Sequence, residues 1–373
     1  MPECGMCKVV IALFRVSSYA YFFSNLIAMK VYPKLLCSMF LILPCIVYGA
    51  NQLDELISVN GRELHIRCQG NGMPTVILEA GSGSSLDTWK TIQPEIANFT
   101  RVCSYSRAGI GKSSINQAKL QIDADETAND LHALLHSPKV IDSSPPPYVL
   151  VGHSYGGLYS LFYLFKYPKE VAGMVLMDAT SGNMGMRGFG LADDLVDELI
   201  VFLIKKQAYL KNKEKGDHIS LKHTLGEAIR AQKLSPDFIK NLHAFRAIED
   251  KDMNKLEKLK RQNALVLKDK PLKVIVASNH EMMAFVNRFK KQKLLVLSVL
   301  PKAQHSAFKG MIGTNLDNFL KQSLDEKKSI LTLSTNSAFI IAKNSGHNVY
   351  IDSPDVVIKA IKQCISYARH YGK

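Results

Sequence analysis

A serine flanked by glycines stands at position 154, in the segment Gly152-His153-Ser154-Tyr155-Gly156-Gly157. This segment directly follows an apolar run, Tyr148 to Val151, and it opens a helix-like pattern, Leu158 to Tyr167. A strand, a sharp turn and a helix in this order are what a nucleophile elbow requires. Glycines suit positions 152 and 156, because a side chain there would collide with the neighbouring strand or helix. The pattern predicts that the Ser154 hydroxyl is a nucleophile.

A serine hydroxyl needs a base at neutral pH, and His347 is the candidate. Imidazole titrates near pH ~6.5, close to working pH. The segment Asn344-Ser345-Gly346-His347 follows a strand pattern, Ala338 to Ala342, and precedes a helix start at Ser353-Pro354. We therefore expect the imidazole at the same strand-end face as Ser154.

Two carboxylates could orient this histidine. Asp178 ends the strand pattern that follows the elbow helix, and Glu281 follows the next strand pattern. Either one gives the chain order serine, acid, histidine. Asp178 is preferred, because an aspartate directly at the end of a buried strand can hold an imidazole rigidly.

The oxyanion of an acyl-transfer intermediate also needs hydrogen-bond donors. The backbone N–H of Tyr155 is one candidate, and the N–H of Ser82, in the loop Ala80 to Ser85, is the other. Such a site implies no organic cofactor and no metal. Cys4 and Cys7 form a lone Cys-x-x-Cys pair with no partner downstream to complete a zinc site.

The elements that must position these residues form an α/β pattern. Short β-rich runs alternate with helical segments, which is typical of a mostly parallel sheet covered on both faces. Asn60-Gly61 predicts a hairpin between the first two strands. The eight predicted strands are Glu55 to Val59, Glu63 to Cys68, Thr75 to Glu79, Val102 to Tyr105, Tyr148 to Val151, Gly173 to Met177, Lys273 to Ala277 and Ala338 to Ala342.

The predicted organisation is a core interrupted by an inserted helical cap. Residues 51–179 form the first part of the core, residues 180–270 the cap, and residues 271–373 the second part of the core. Residues 1–50 are read as a targeting region with two apolar runs. The second run fits a signal peptide starting at Met29, which predicts an exported protein, periplasmic or secreted. The alternative is an uncleaved N-terminal membrane anchor.

Composition restricts the class of protein. Hydrophobic residues make up 47% of the 373 residues and charged residues 21%, which excludes a disordered chain. The net charge is +14, and residues 1–50 contribute four basic residues and one acidic residue to it, so the remainder carries +11. Lysine runs such as Lys205-Lys206 and Lys258 to Arg261 are typical of a solvated helical face, and they also suit contact with anionic lipid headgroups. Nucleic-acid binding lacks motif support. Three cysteines remain after residue 50, and they allow one disulfide in an oxidising compartment.

From about Leu53 to Ala368, the sequence resembles the alpha/beta-hydrolase superfamily in its serine-hydrolase branch. The resemblance rests on Val76 to Gly83, Tyr105 to Ser113, the elbow, and Ser345-Gly346-His347. The family commonly has His-Gly where this chain has Ala80-Gly81 and Asp where it has Ser106, and neither change removes a backbone donor. Serine at the elbow separates the chain from the dehalogenases and epoxide hydrolases of the superfamily, which have aspartate there. In most members of the family the acid follows the seventh strand. An acid after the sixth strand also occurs, and one subgroup is similar to this chain in its Val-Leu-x-Asp-Ala ending, which favours Asp178.

The resemblance implies a hydrolase of carboxylic esters, whose substrate is a small-molecule or lipid ester. An amidase or peptidase, or an acyltransferase, would use the same triad. A non-catalytic ligand-binding protein with the same fold is the alternative from a different class. The sequence does not specify the oligomeric state.

Overall fold

The structure of the protein, a computed structural model, describes residues 52–114, 122–181, 236–278 and 315–371. All of them belong to the unit Asn51–Lys373. The N-terminal apolar runs, residues 182–235 of the predicted cap, and Glu281 lie outside the described residues. None of the helices in the described ranges combines the length and the apolar composition that a membrane span needs.

Eight strands form one sheet among these residues, which confirms the predicted set with strand ends displaced by no more than two residues. The order across the sheet is β1-β2-β4-β3-β5-β6-β7-β8. β2 is antiparallel to β1 and β4, and the remaining neighbours are parallel. The strands are β1 (Leu53–Val59), β2 (Arg62–Gln69), β3 (Val76–Glu79), β4 (Val102–Tyr105), β5 (Tyr148–His153), β6 (Val171–Met177), β7 (Leu272–Ala277) and β8 (Ser337–Ala342).

The predicted hairpin between β1 and β2 is confirmed. Val59 pairs with Arg62, so Asn60 and Gly61 form a two-residue loop. Their φ angles are +51° and +74°, as a type I′ turn requires at both central positions.

Helices cover both faces of the sheet, as predicted. They are α1 (Gln93–Ala97), α2 (Ala124–Leu135), α3 (Pro138–Ile141), α4 (Tyr155–Lys166), α5 (Pro236–Gln262), α6 (Asn315–Ser329), α7 (Val349–Asp352) and α8 (Pro354–Tyr371). Along β6, Met174 and Leu176 pack in one buried cluster with residues of α2 and α4. Val175 and Met177 pack in a second cluster with residues of α8. This alternation explains why the strand is apolar at every position.

The described helix of the predicted cap is α5, and it corrects one expectation about charge. Lys258 and Arg261 are exposed. Lys260, in the same run, is buried, and its ammonium donates to the carbonyl of Ser181 at 2.8 Å and to Glu257 at 2.6 Å. The run is therefore not a uniformly solvated face, because Lys260 ties α5 to the chain that leaves β6.

A disulfide joins neighbouring strands. Cys68 of β2 faces Cys103 of β4 in the antiparallel register, and the two sulfurs are bonded. Cys364 is buried with a free thiol.

Parallel pairing brings functional positions to one edge. β3, β5, β6, β7 and β8 run in the same direction. Their carboxyl ends therefore lie along the same side of the sheet, which we call the carboxyl edge. Ser154, Asp178 and the loop that carries His347 all follow strands at this edge.

Candidate active site

Ser154 occupies a strained turn between β5 and α4. Its φ and ψ are +53° and −123°, a conformation that costs a residue with a side chain about 1 to 3 kcal/mol. The predicted need for glycine is met on both sides. A Cβ at Gly156 would lie 2.2 Å from the carbonyl oxygen of Glu79, and one at Gly152 would lie 2.7 Å from the carbonyl oxygen of Gly156. The elbow can therefore form only with glycine at these positions.

His347 and Asp178 meet at the carboxyl edge. The Nδ1–H of His347 donates to Oδ2 of Asp178 at 2.7 Å. Asp178 is the first residue after β6, with a φ of +41°, and its own N–H donates to the carbonyl of Ile275 on β7 at 2.7 Å. The preferred acid and the predicted base are thus in direct contact, whereas Glu281, the alternative acid, lies outside the described residues.

A lysine that the sequence analysis did not single out completes the surroundings of this carboxylate. Lys327 of α6 forms an ion pair with Oδ1 of Asp178. Burial opposes ionisation of Asp178, but the hydrogen bond from His347 and the ammonium of Lys327 outweigh it and hold the pKa of this carboxyl well below its usual value. Asp178 is therefore an anion at neutral pH.

His153, the residue before the serine, links the elbow to the histidine loop. Its Nε2–H donates to the backbone carbonyl of His347 at 2.8 Å, and the two imidazole centroids are 4.6 Å apart. Burial, reinforced by the neighbouring His347, lowers the pKa of His153 to about 4, so its ring is neutral. This contact places the backbone of His347 directly beside the neighbour of Ser154.

Two further contacts hold the loop that carries His347. The N–H of Gly346 donates to the carboxylate of Asp352 in α7 at 2.9 Å. The hydroxyl of Ser278, the first residue after β7, donates to the carbonyl of Ser345 at 3.2 Å. The loop is thereby anchored both to the sheet and to the following helix.

The two predicted oxyanion donors border one cavity. Ser82 and Tyr155 both line a cavity of about 210 Å³. Tyr155 is the first residue of α4, so its N–H has no acceptor within the helix and is available to a ligand. The loop of Ser82 lies against the elbow, since a Cβ built on Gly81 would be 3.4 Å from the Cβ of Ser154. The geometry thus brings both donors to the elbow.

Arg107 fixes the donor loop, which the sequence analysis did not anticipate. Its guanidinium donates to the carbonyls of Ala80 and Gly81, each at 2.6 Å, and to the buried carboxylate of Glu79 at 2.5 Å. The carbonyls on the amino side of Ser82 are therefore held by charge-assisted bonds, which restrict the direction of the Ser82 N–H.

The sequence model of the family described as alpha/beta hydrolase fold matches residues 74–296, more than half of the chain. The chain belongs to the alpha/beta-hydrolase family. The fold predicted from the sequence resemblance is thereby confirmed.

Similar proteins match this chain over most of their length. The uncharacterized protein YqjL of Bacillus subtilis is 27% identical over 310 residues, which cover 83% of this chain and 90% of YqjL. An AB hydrolase superfamily protein of Gibberella zeae is 22% identical over 334 residues, which cover 85% of this chain and 97% of that protein. The solved structure of the epoxide hydrolase CorEH has a TM-score of 0.50 at 16% identity and covers 85% of this chain and 99% of CorEH. Since one fold hosts many reactions, these likenesses establish a hydrolase fold and leave the bond that is cleaved to be argued from the site.

Two residues of the site, Lys327 and Arg107, could not be recognised from a local sequence pattern. Lys327 and Arg107 act on their partners from distant elements, and a charged residue in a helix or after a strand has no local pattern that distinguishes it. Arg107 does lie inside the family-like segment Tyr105 to Ser113, which was the available signal. For Lys327 no signal was available.

Proposed function

We propose that this alpha/beta hydrolase is a serine hydrolase that cleaves carboxylic esters through an acyl-enzyme at Ser154. The observation that carries the proposal is the 2.7 Å hydrogen bond from His347 to an anionic Asp178, beside a serine in a strained elbow. A hydroxyl at the elbow gives an acyl ester on attack at a carbonyl, which a second nucleophile, water, can then cleave.

In the acylation step, Ser154 Oγ bonds to the carbonyl carbon of the ester while Nε2 of His347 accepts the hydroxyl proton. The carbonyl electron pair moves onto oxygen, which accepts hydrogen bonds from the N–H groups of Ser82 and Tyr155. Each such donor typically lowers the barrier by about 3 to 4 kcal/mol. The intermediate then collapses, the bond to the alcohol oxygen breaks, and His347 returns the proton to the leaving alcohol.

Deacylation repeats these steps with water. His347 takes a proton from water, whose oxygen attacks the acyl carbon, and the acid leaves as Ser154 regains its proton. Asp178 keeps the proton of the neutral ring on Nδ1, so that Nε2 presents a lone pair to the serine, and it stabilises the imidazolium that forms twice in each cycle. No step requires a metal or an organic cofactor.

The test is a pair of serine variants, one at the elbow and one within α4. Ser154→Ala should lose hydrolysis of p-nitrophenyl acetate and labelling by a fluorophosphonate probe, with an unchanged circular dichroism spectrum. Ser160→Ala is the matched control, because the Ser160 hydroxyl only donates to the carbonyl of Gly156 within α4. Turnover by Ser154→Ala at the wild-type rate would exclude the mechanism.

A substrate panel separates the remaining activities of such a triad. Matched esters and amides of the same acyl group should show a higher kcat/KM for the ester. A higher value for the amide would make the protein an amidase, and preferential product formation with an added alcohol would make it an acyltransferase. Absence of probe labelling in the folded protein would instead indicate a non-catalytic binding protein.

We also propose that the protein is exported. The Cys68–Cys103 disulfide supports this, since disulfides persist mainly in oxidising compartments. Mass spectrometry of the mature N-terminus from fractionated cells tests it. A start near residue 51 in the exported fraction is expected, and a mature chain that keeps residues 1–50 would contradict signal cleavage and favour the anchor.

A further inference from the structure

Three side chains that the proposed reaction does not use converge at the opposite edge of the sheet. His132 lies in the last turn of α2, and His136 is the residue that caps this helix. Glu170 ends the 3-10 turn Pro168–Glu170 and immediately precedes β6. Because β6 is seven residues long, Glu170 lies about 20 Å from the carboxyl edge. Whatever this cluster does is separate from the chemistry at Ser154.

The three donor atoms have the spacing of metal ligands. One ligand atom from each residue lies within 4.8 Å of the others. Nε2 of His132 is 3.1 Å from Oε1 of Glu170, which is also the distance of a direct hydrogen bond, and Nε2 of His136 is 3.4 Å from the same oxygen. A tetrahedral zinc ion with bonds of about 2.0 to 2.1 Å places its ligand atoms about 3.3 Å apart. Both of these distances therefore match the edges of a zinc tetrahedron.

A hydrogen bond to the backbone turns Nε2 of His136 toward Glu170. Nδ1 of His136 is 2.9 Å from the backbone carbonyl of His132, and a carbonyl can only accept, so Nδ1 carries the proton. Nε2 is therefore the ring nitrogen left to face Glu170, and it lies 3.4 Å from Oε1 of that carboxylate. A histidine whose other nitrogen donates to a backbone carbonyl is the usual arrangement in metal sites.

The other two ligands are also held in place. The Tyr163 hydroxyl donates to Oε2 of Glu170 at 2.6 Å, which orients the carboxylate and leaves Oε1 toward the histidines. The ring of His132 stacks between His136, with centroids 4.0 Å apart, and Tyr167, at 3.9 Å. Little rotamer freedom remains to be lost on binding an ion.

Position and exposure suit a cation from solvent. The two histidines lie at the carboxyl end of a helix, where the backbone dipole favours positive charge. Their side chains are 30% and 34% exposed and that of Glu170 is 18% exposed, so an ion can enter and water can fill a fourth position. Two imidazoles and one carboxylate suit zinc-type ions, whereas Mg²⁺ and Ca²⁺ prefer oxygen ligands.

We propose that His132, His136 and Glu170 bind a divalent transition-metal ion of the zinc type, which ties the end of α2 to the start of β6. The ion is structural in this position, since it joins two elements of the hydrolase core and lies far from the elbow.

Zinc titration of the full-length protein tests the site. After treatment with EDTA and removal of the chelator, isothermal titration with ZnCl₂ should show a saturable site, and the melting temperature should rise with zinc but not with Mg²⁺. Loss of a group that only supports a ligand typically weakens metal affinity by roughly tenfold or more. His136→Gln removes a ligand itself, so it should weaken the zinc affinity by at least that factor. The X-ray absorption spectrum of the bound zinc should show two imidazoles and oxygen, with no sulfur.

His370→Gln is the matched control. His370 is exposed near the end of α8, and its Nδ1 donates to the backbone carbonyl of Ser366 at 2.7 Å, which reproduces the local bond of His136. This variant should bind zinc like the wild type. No saturable binding, equal affinity in His136→Gln, or a sulfur ligand in the spectrum would overturn the proposal. Esterase activity in the same samples reports separately on the proposed function.

Discussion

Replacing Asp178 by asparagine directly tests the proposed pairing of His347 with Asp178, because the structure predicts how this substitution impairs the histidine. An asparagine has the shape of aspartate, but only one of its two terminal atoms is an acceptor. Lys327, which is ion-paired with Oδ1 of Asp178, can only donate and therefore competes for that acceptor. With the amide oxygen on Lys327, the amide NH₂ faces Nδ1 of His347, and the ring must put its proton on Nε2. The lone pair that would accept the Ser154 proton is then lost.

The lost attraction between Asp178 and the imidazolium sets a lower limit on the loss of rate. Two unit charges about 4 Å apart interact by about 4 kcal/mol at an effective dielectric constant of 20. The His347 side chain is 50% exposed, and Lys327 also interacts with the carboxylate, so we take about 3 kcal/mol as the attraction between Asp178 and the imidazolium. This corresponds to about a hundredfold in rate. The wrong tautomer adds to it, and the same change in a serine protease costs about 10⁴-fold.

We therefore expect kcat for p-nitrophenyl acetate to fall by about 10² to 10⁴ in Asp178→Asn, with a much smaller change in KM. Glu281→Gln is the control and should retain wild-type kcat. Circular dichroism and thermal melting should show both variants folded. A loss of less than tenfold in Asp178→Asn, together with a large loss in Glu281→Gln, would refute the assignment and make Glu281 the acid.

Three stability predictions follow from the backbone, the disulfide and the buried ionisable groups. Ser154→Gly should be more stable than Ser154→Ala by about 1 kcal/mol in urea denaturation, because glycine tolerates positive φ, and equal stability would show that the elbow is unstrained. Reduction of Cys68–Cys103, which are 35 residues apart, should lower the free energy of unfolding by about 3 to 4 kcal/mol, measured with and without reductant, whereas no change would mean that the bridge does not form in solution. Burial holds the pKa of His153 at about 4, so between pH 6.5 and 4 the unfolded chain binds more protons, and stability should fall by about 3 kcal/mol as the pH drops through this window. Burial raises the pKa of Asp252 to about 7, so this group makes stability change with pH in the opposite direction. The measurement is therefore made in an Asp252→Asn background, where stability should vary less with pH in His153→Gln than in the protein with His153. Parallel stability profiles would contradict the prediction.

The sequence predicted the central strands of the sheet well because β3, β4, β5 and β6 are buried on both faces. Continuous apolar runs such as Tyr148 to Val151 are bounded by turn residues, and no amphipathic helix gives this pattern. The hairpin followed from Asn60-Gly61, whose positive φ angles few other residue pairs adopt. What the sequence does not contain is the order of the strands in space, since that order depends on packing between distant segments.

The choice of acid shows this limit. Asp178 and Glu281 give the same chain order, so the sequence alone left both open. Sheet order adds that β6 lies next to β5, with His153 paired to Met177. The residue after Met177 therefore lies beside the residue after His153, and a carboxylate there is adjacent to the elbow without further adjustment. A preference based on strand-end rigidity became a contact only once the strands had been placed.

The members of the proposed triad are also held by different means. Ser154 and Asp178 follow neighbouring strands, both at positive φ, and the N–H of each donates to the next strand over, to Met177 at 3.0 Å and to Ile275 at 2.7 Å. The sheet itself therefore supports their strain. His347 follows β8, two strands beyond β6, so its loop must return across the end of β7.

The position of His347 thus depends on hydrogen bonds that involve single side chains. His153 fixes its carbonyl, Asp352 fixes the preceding N–H, and Ser278 fixes the carbonyl of Ser345. None of these bonds belongs to a strand or helix ladder, so each can be lost without unfolding the core. Within the described site, the base is therefore the member whose alignment depends least on the stability of the fold and most on the groups around it.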